Sequence, residues 1–196
     1  MSANAIRTIL VTAPLRRADI AACARRISAV AGQCDVASVI VRLEPGASEA
    51  DVAPLARLAE DRDIALLSDV VAEALRPEFD GAHVGAAGFD AAIRTLHPGK
   101  IVGAGGLGSR DAAMAAGEAG ADYVMFGEDG AAEAATDLVA WWAEVMQPPC
   151  AGHAATVSNA RAFAAAGADF IALAPELWSE ATAFAELLRA LAADAA

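Results

Sequence analysis

The chain has 196 residues, of which 57% are hydrophobic, and this predicts a single folded domain spanning residues 1–196. Its net charge is −12, because 26 Asp and Glu outnumber 14 Lys and Arg. So acidic a surface repels nucleic acid and anionic membranes, which argues against both as partners. Any phosphate site must therefore be local, built from backbone N–H groups and a few arginines.

The first residues carry only a short apolar run, and no run approaches the roughly 18 apolar residues of a membrane helix. We therefore expect no signal peptide, no membrane contact and a cytoplasmic location. Cys23, Cys34 and Cys150 are odd in number and widely spaced. This spacing favours inert core thiols over a disulfide framework or a zinc site.

Short runs rich in Ile, Val and Leu alternate with Ala-rich segments whose charges recur at helical spacing, as in parallel strands joined by helices. The predicted strands are 8–13, 38–43, 64–69, 81–85, 100–105, 123–128, 148–152 and 170–175. The run at 148–152 is the weakest of these, because it holds two prolines and little β-branching. A final helix is predicted over 176–195.

Units of about 24 residues each fit a compact (β/α)8 TIM barrel, an α/β fold. An internal echo agrees, since Asp-Gly-Ala-His at 80–83, Gly-Ala-Asp-Tyr at 120–123 and Gly-Ala-Asp-Phe at 167–170 each open an even-numbered strand. A doubly wound open sheet is the alternative, but it favours a glycine-rich turn after the first strand, and residues 12–19 contain no glycine. In a barrel, the active site lies at the carboxyl ends of the strands.

Two side chains at predicted strand ends suit phosphate chemistry. Arg42 ends the second strand, where it would either bind a phosphate with two hydrogen bonds or form a salt bridge with Glu44. Asp69 follows Ser68 at the end of the third strand. Its carboxylate would bind Mg²⁺, act as a base, or cap the next helix.

Three further side chains suit proton transfer or ligand binding. Glu128 follows the sixth strand, and a partly apolar mouth is expected to raise its pKa so that it can shuttle protons. His153 is predicted to follow the seventh strand at the same face. His83 lies within the fourth strand and faces either the barrel interior or the helices. A hydrogen-bonded core histidine is the alternative to a ligand-binding role for His83.

The glycine-rich turn at 103–108 follows the fifth predicted strand and precedes a helix. Its backbone N–H groups, at Gly105 and Gly106 above all, would suit an anion, with Ser109 as the helix cap. Such a turn is a weak motif by itself.

These segments resemble the thiamine phosphate synthase family and its relative, the thiazole tautomerase, over residues 8–178. The resemblance is carried by SDVVAEAL with DGAHVG, by IVGAGGLGSRDAAMAAGEAGADYVMFGE and by NARAFAAAGADFIAL, in the order and spacing of the family. It implies a (β/α)8 barrel that joins a pyrimidine diphosphate to a thiazole phosphate with Mg²⁺. It also implies a phosphorylated heterocycle as ligand, and a homodimer is a fair expectation for so compact a barrel.

The resemblance assigns roles to only part of the site. It implies a diphosphate-binding Arg42, a Mg²⁺ ligand at Asp69 and substrate contacts at Ser68 and His83. Elsewhere the chain departs from the family, with Glu44 for a lysine, Gly88 for a second Mg²⁺ carboxylate, Gly105 for a serine, His153-Ala154 for two glycines and Pro175 for a serine.

Two alternatives to the synthase stay open. The tautomerase relative moves a proton on the thiazole with a histidine at the position of Glu128, so Glu128 and His153 would be the catalytic pair of an isomerase. The other alternative is a barrel without catalytic activity that binds a small molecule or a protein.

Overall fold

The computed structural model describes residues 7–194 and shows a closed barrel of parallel strands paired in chain order. The strands are β1 Arg7–Val11, β2 Val36–Val41, β3 Ala65–Ser68, β4 Gly81–Gly85, β5 Ile101–Gly105, β6 Tyr123–Phe126, β7 Cys150–Ala154 and β8 Phe170–Leu173. The helices are α1 Ile20–Ala31, α2 Glu49–Arg62, α3 Val71–Ala74, α4 Ala86–Leu96, α5 Arg110–Glu118, α6 Ala132–Val145, α7 Val157–Ala165, α8 Pro175–Trp178 and α9 Ala181–Asp194. The predicted barrel is confirmed, and the open sheet is excluded because β1 pairs with β8.

Two predicted elements differ from the structure near the C-terminal end. The seventh strand begins at Cys150, because proline has no N–H for the ladder, and Pro149 contributes only its carbonyl, which accepts from Val124 N at 3.1 Å. His153 therefore lies inside β7 and not after it. The helix predicted at 176–195 is divided into α8 and α9, since the chain leaves the helical conformation at 179–180.

The aspartates of the internal echo fasten neighbouring strands together at their amino ends. The Oδ2 atoms of Asp80, Asp122 and Asp169 accept from the backbone N–H groups of Leu66, Val102 and Cys150 at 2.7, 2.7 and 2.8 Å. In return, the backbone N–H of each aspartate donates to the carbonyl of the residue whose N–H its side chain accepts. The echo is thus a repeated strand clasp at the face of a barrel that serves stability rather than catalysis.

The barrel interior holds apolar side chains together with a buried polar pair. Ile9, Ile40 and Met125 belong to a buried cluster that also includes Tyr123. The hydroxyl of Tyr123 contacts His83, which therefore faces the interior and not the helices. Gly103 on β5 makes room for this arrangement, because a Cβ there would overlap the Tyr123 ring.

Two of the three thiols lie in the core as the sequence predicts, since Cys23 and Cys150 are buried, whereas Cys34 is half-buried. Burial raises the pKa of Cys23 and of Cys150 to about 11. Within residues 7–194, no helix combines the length and the apolar character needed to cross a membrane.

Candidate active site

The centre of the site is a hydrogen-bonded pair at the carboxyl ends of β4, β5 and β6. His83 Nε2 lies 3.2 Å from Glu128 Oε1, although the two residues are far apart in sequence. The other carboxylate oxygen, Oε2, accepts from the backbone N–H of Gly106 at 2.7 Å. The glycine-rich turn therefore directs this N–H to a side chain of the protein itself.

Tyr123 contacts the second ring nitrogen of His83. Its hydroxyl lies 2.8 Å from His83 Nδ1, and this is its hydrogen bond among the described residues. Burial raises the pKa of Tyr123 well above its usual value, so the hydroxyl stays protonated. Because an ionised carboxylate only accepts hydrogen bonds, Nε2 of His83 carries a proton and donates a hydrogen bond to Glu128 Oε1. Sequence analysis missed Tyr123, whose only signal was its place in the echo at 120–123.

Gly105 is what allows His83 and Glu128 to meet. It is the last residue of β5, and a Cβ at this position would overlap both the Glu128 carboxylate and the His83 ring. A serine here, as in the resembling family, would need the space that the Glu128 carboxylate occupies. The two departures from the family, at 105 and at 128, are therefore structurally coupled.

The pKa of Glu128 is lowered, and the prediction that the mouth raises it is wrong. Burial does raise this pKa, but the hydrogen bond and charge of His83, the N–H of Gly106 and the charge of His153 together outweigh burial. The carboxylate is therefore ionised at neutral pH. Glu128 is better suited to stabilising a positive charge than to donating a proton.

His153 is the second titratable side chain on this side of the mouth. Burial lowers its pKa, as do the charges of Arg42 and His83, while Glu128 and the carbonyl of Gly127 act in the opposite direction. Because the net shift is downward, His153 is mainly neutral at pH 7. A neutral imidazole is able to accept a proton.

Arg42 and Asp69 form the opposite side of the mouth, at the ends of β2 and β3. Arg42 Nε lies 4.0 Å from Asp69 Oδ2, and the two side chains are 39% and 38% exposed. The backbone N–H of Arg42 donates to Thr12 Oγ1 at 3.0 Å, which ties β2 to β1. Burial raises the pKa of Asp69, and Arg42 and His83 oppose that shift.

Two of the alternatives for these residues are wrong. Arg42 pairs with Asp69 rather than with Glu44, because Glu44 is engaged by Arg16 at 3.6 Å. Asp69 does not cap α3. Ser68 is buried, and its Oγ accepts from Val70 N at 3.1 Å at the start of that turn.

Arg16 and Arg17 are cations of the mouth that sequence analysis missed. Their loop, between β1 and α1, is held against β2 because Leu15 N donates to Arg42 O at 2.8 Å and Glu44 N donates to Leu15 O at 3.0 Å. Arg17 pairs with Asp51 at 2.6 Å. Arg16 thus offsets the negative charge of Glu44, which stands where the resembling family has a lysine. The available signal was two consecutive arginines in a strongly acidic chain.

Three further polar side chains, Ser109, Asp129 and His97, have structural contacts. Ser109 caps α5 as predicted, since its Oγ accepts from Ala112 N at 3.2 Å. Asp129 accepts from Ala131 N at 3.0 Å in the turn before α6. His97 lies 3.7 Å from Asp122, away from the mouth.

A resident metal centre does not fit these side chains. Residues 7–194 contain no group of three or more His, Cys, Asp or Glu placed to hold a metal ion. Mg²⁺, however, commonly binds proteins through one or two carboxylates together with substrate phosphates. Asp69, with a half-exposed carboxylate beside Arg42, fits a Mg²⁺ ion that arrives with a diphosphate.

Known proteins resemble this chain over most of its length. A family model described as Thiamine monophosphate synthase matches residues 10–177. A Thiamine-phosphate synthase of Rhodospirillum centenum is 37% identical over 88% of this chain and 89% of its own length, and one of Hyphomonas neptunium is 32% identical over 94% and 91%. The thiamine phosphate pyrophosphorylase structure from Pyrococcus furiosus shares the fold, with a TM-score of 0.72, 20% identity and coverage of 95% and 96%. The chain belongs to the thiamine monophosphate synthase family.

Proposed function

We propose that this chain is a thiamine phosphate synthase, which joins a pyrimidine diphosphate to a thiazole phosphate. The observation that carries the proposal is the Arg42–Asp69 pair, which places a guanidinium and a carboxylate side by side at the carboxyl ends of β2 and β3. The named activity of the relatives that cover most of the chain supports it.

The reaction breaks the carbon–oxygen bond to the diphosphate and forms a carbon–nitrogen bond to the thiazole. The electron pair of the broken bond leaves with the diphosphate, and the ring nitrogen supplies the pair for the new bond. Arg42 stabilises the negative charge that develops on the leaving group. Asp69 would hold Mg²⁺, which supplies further neutralisation of the diphosphate when it is bound.

Arg16 answers the main electrostatic objection to this function. Glu44 stands where the resembling family has a lysine, and an unpaired carboxylate would repel a diphosphate. Glu44 is instead paired with Arg16 at 3.6 Å, which offsets its charge. Arg42 and a bound Mg²⁺ would then supply the positive charge for the diphosphate, although the whole chain is acidic.

Calorimetric titration with inorganic diphosphate, with and without Mg²⁺, tests the site. We expect binding that needs Mg²⁺, and Arg42→Ala is expected to weaken it about tenfold to a hundredfold, as for a lost charged hydrogen bond. Arg94→Ala is the matched control, because Arg94 is exposed on α4, outside the site. The proposal would be contradicted if the two substitutions weakened diphosphate binding equally, or if the affinity did not depend on Mg²⁺.

A second candidate is an isomerase that moves a proton on a thiazole. The observation that favours it is the neutral His153 close enough to the ionised Glu128 to interact electrostatically. His153 would then be the catalytic base and Glu128 would stabilise its protonated form. Exchange of thiazole phosphate protons in D₂O, lost in His153→Asn, would support this candidate over the synthase.

A further inference from the structure

We propose that Glu128 is a specificity-determining residue whose carboxylate binds a heterocyclic cation. The cation meant is a thiazole ring that carries a positive charge because its nitrogen is alkylated. This inference rests on the proposed synthase function, since formation of the carbon–nitrogen bond leaves the ring nitrogen with three carbon substituents and a full positive charge.

The position of the Glu128 carboxylate is fixed before any ligand arrives. His83 holds Oε1 and Gly106 N holds Oε2, and the side chain is 21% exposed, so an edge of the group reaches the mouth. A carboxylate has about four acceptor positions, and these two bonds leave others open. A fixed charge at a partly buried site interacts with a ligand charge more strongly than the same charge in water.

Within residues 7–194, Glu128 forms no ion pair with an arginine or a lysine. Among the described residues its ion-pair partner is His83, whose Nε2 lies 3.2 Å from Oε1. Arg42 is paired with Asp69 on the other side of the mouth. The mouth thus holds two arginines, each beside a carboxylate, at β1–β3, and a carboxylate without an arginine or lysine partner at β4–β6.

The arrangement departs from the pattern of the resembling family. A serine ending β5 would exclude the carboxylate from its present position, so the glycine at 105 and the glutamate at 128 act together. The result replaces a neutral hydroxyl with a negative charge at one place in the barrel. A ligand that gains positive charge during the reaction is favoured over its neutral precursor by such a change.

Titration with two small probes that carry no phosphate group tests the inference, with binding monitored through NMR chemical shifts of the protein. The probes are the N-methylthiazolium cation and neutral 4-methylthiazole. We expect the native protein to bind the cation about tenfold more tightly than the neutral ring, and Glu128→Gln to reduce that preference to about twofold. The matched control is Glu176→Gln, because Glu176 is an exposed carboxylate just after β8 and is expected to leave the preference unchanged.

Gly105→Ser supplies a second variant, since it displaces the carboxylate and leaves Glu128 in the chain. Loss of the cation preference in both variants supports the inference, whereas an unchanged preference in either folded variant, or no preference in the native protein, overturns it. The proposed function fails separately, if the native protein forms no thiamine phosphate. A cation preference without turnover would keep this inference and remove the synthase.

Discussion

His83 and Glu128 meet over Gly105, and the absence of a side chain on this glycine makes the contact sterically feasible. Gly105→Ser is expected to lower the free energy of unfolding by about 1–3 kcal/mol, because the new side chain overpacks the pair. In a Glu128→Ala background the cost should be smaller, since the overlapping carboxylate is gone. Urea unfolding of the four proteins of this cycle measures the coupling.

Gly108→Ser is the control for that cycle. Gly108 belongs to the same turn, and a Cβ there meets nothing within 4 Å. We expect this substitution to cost much less than Gly105→Ser and to show no coupling to position 128. Equal costs at 105 and 108 would mean that the space at Gly105 does not matter for the pair.

Tyr123→Phe is expected to destabilise the protein by about 1–3 kcal/mol, because it leaves the buried Nδ1 of His83 without its hydrogen-bond partner. The Glu128 carboxylate still accepts from Nε2 in the variant, so Nε2 should keep its proton. Urea unfolding measures the cost, and ¹⁵N chemical shifts of His83 check that Nε2 is protonated in both proteins. An unchanged free energy of unfolding would show that the Tyr123 hydroxyl does not stabilise His83.

Glu128 gives the protein a dependence of stability on acid pH. Its pKa in the folded state lies below its value of about 4.3 in an unfolded chain, so the stabilisation is fully present above that value. The stabilisation is lost as the pH falls through the lowered folded-state pKa. The difference in unfolding free energy between the native protein and Glu128→Gln should therefore shrink between pH 6 and pH 3. A constant difference would contradict the lowered pKa.

Asp169→Ala should weaken the barrel and leave its chemistry intact. The substitution removes the acceptor for Cys150 N at the amino end of β7, which should cost about 1–3 kcal/mol for an unsatisfied donor. Asp137→Ala, on the exposed face of α6, is the control and should cost little. Any ligand affinity at the mouth should be the same in both variants, and a selective loss in Asp169→Ala would contradict a purely structural clasp.

The sequence was sufficient for the barrel because the alternation of apolar runs with Ala-rich helices is a local signal. It was insufficient to predict that His83 faces the barrel interior. A strand pattern shows that alternate residues share a face, but it does not show which face is the interior. The pKa of Glu128 depends on His83 and on the N–H of Gly106, which no local pattern connects to it. Arg16 reaches Glu44 only because the first loop pairs with β2 through Leu15.

The most direct measurement is formation of thiamine phosphate from the pyrimidine diphosphate and the thiazole phosphate with Mg²⁺, read by fluorescence after oxidation to the thiochrome. The Rhodospirillum centenum relative serves as a control for the assay. The proposed function predicts product from the native protein and far less from Arg42→Ala. No product from folded native protein, under conditions in which the relative forms product, would contradict it.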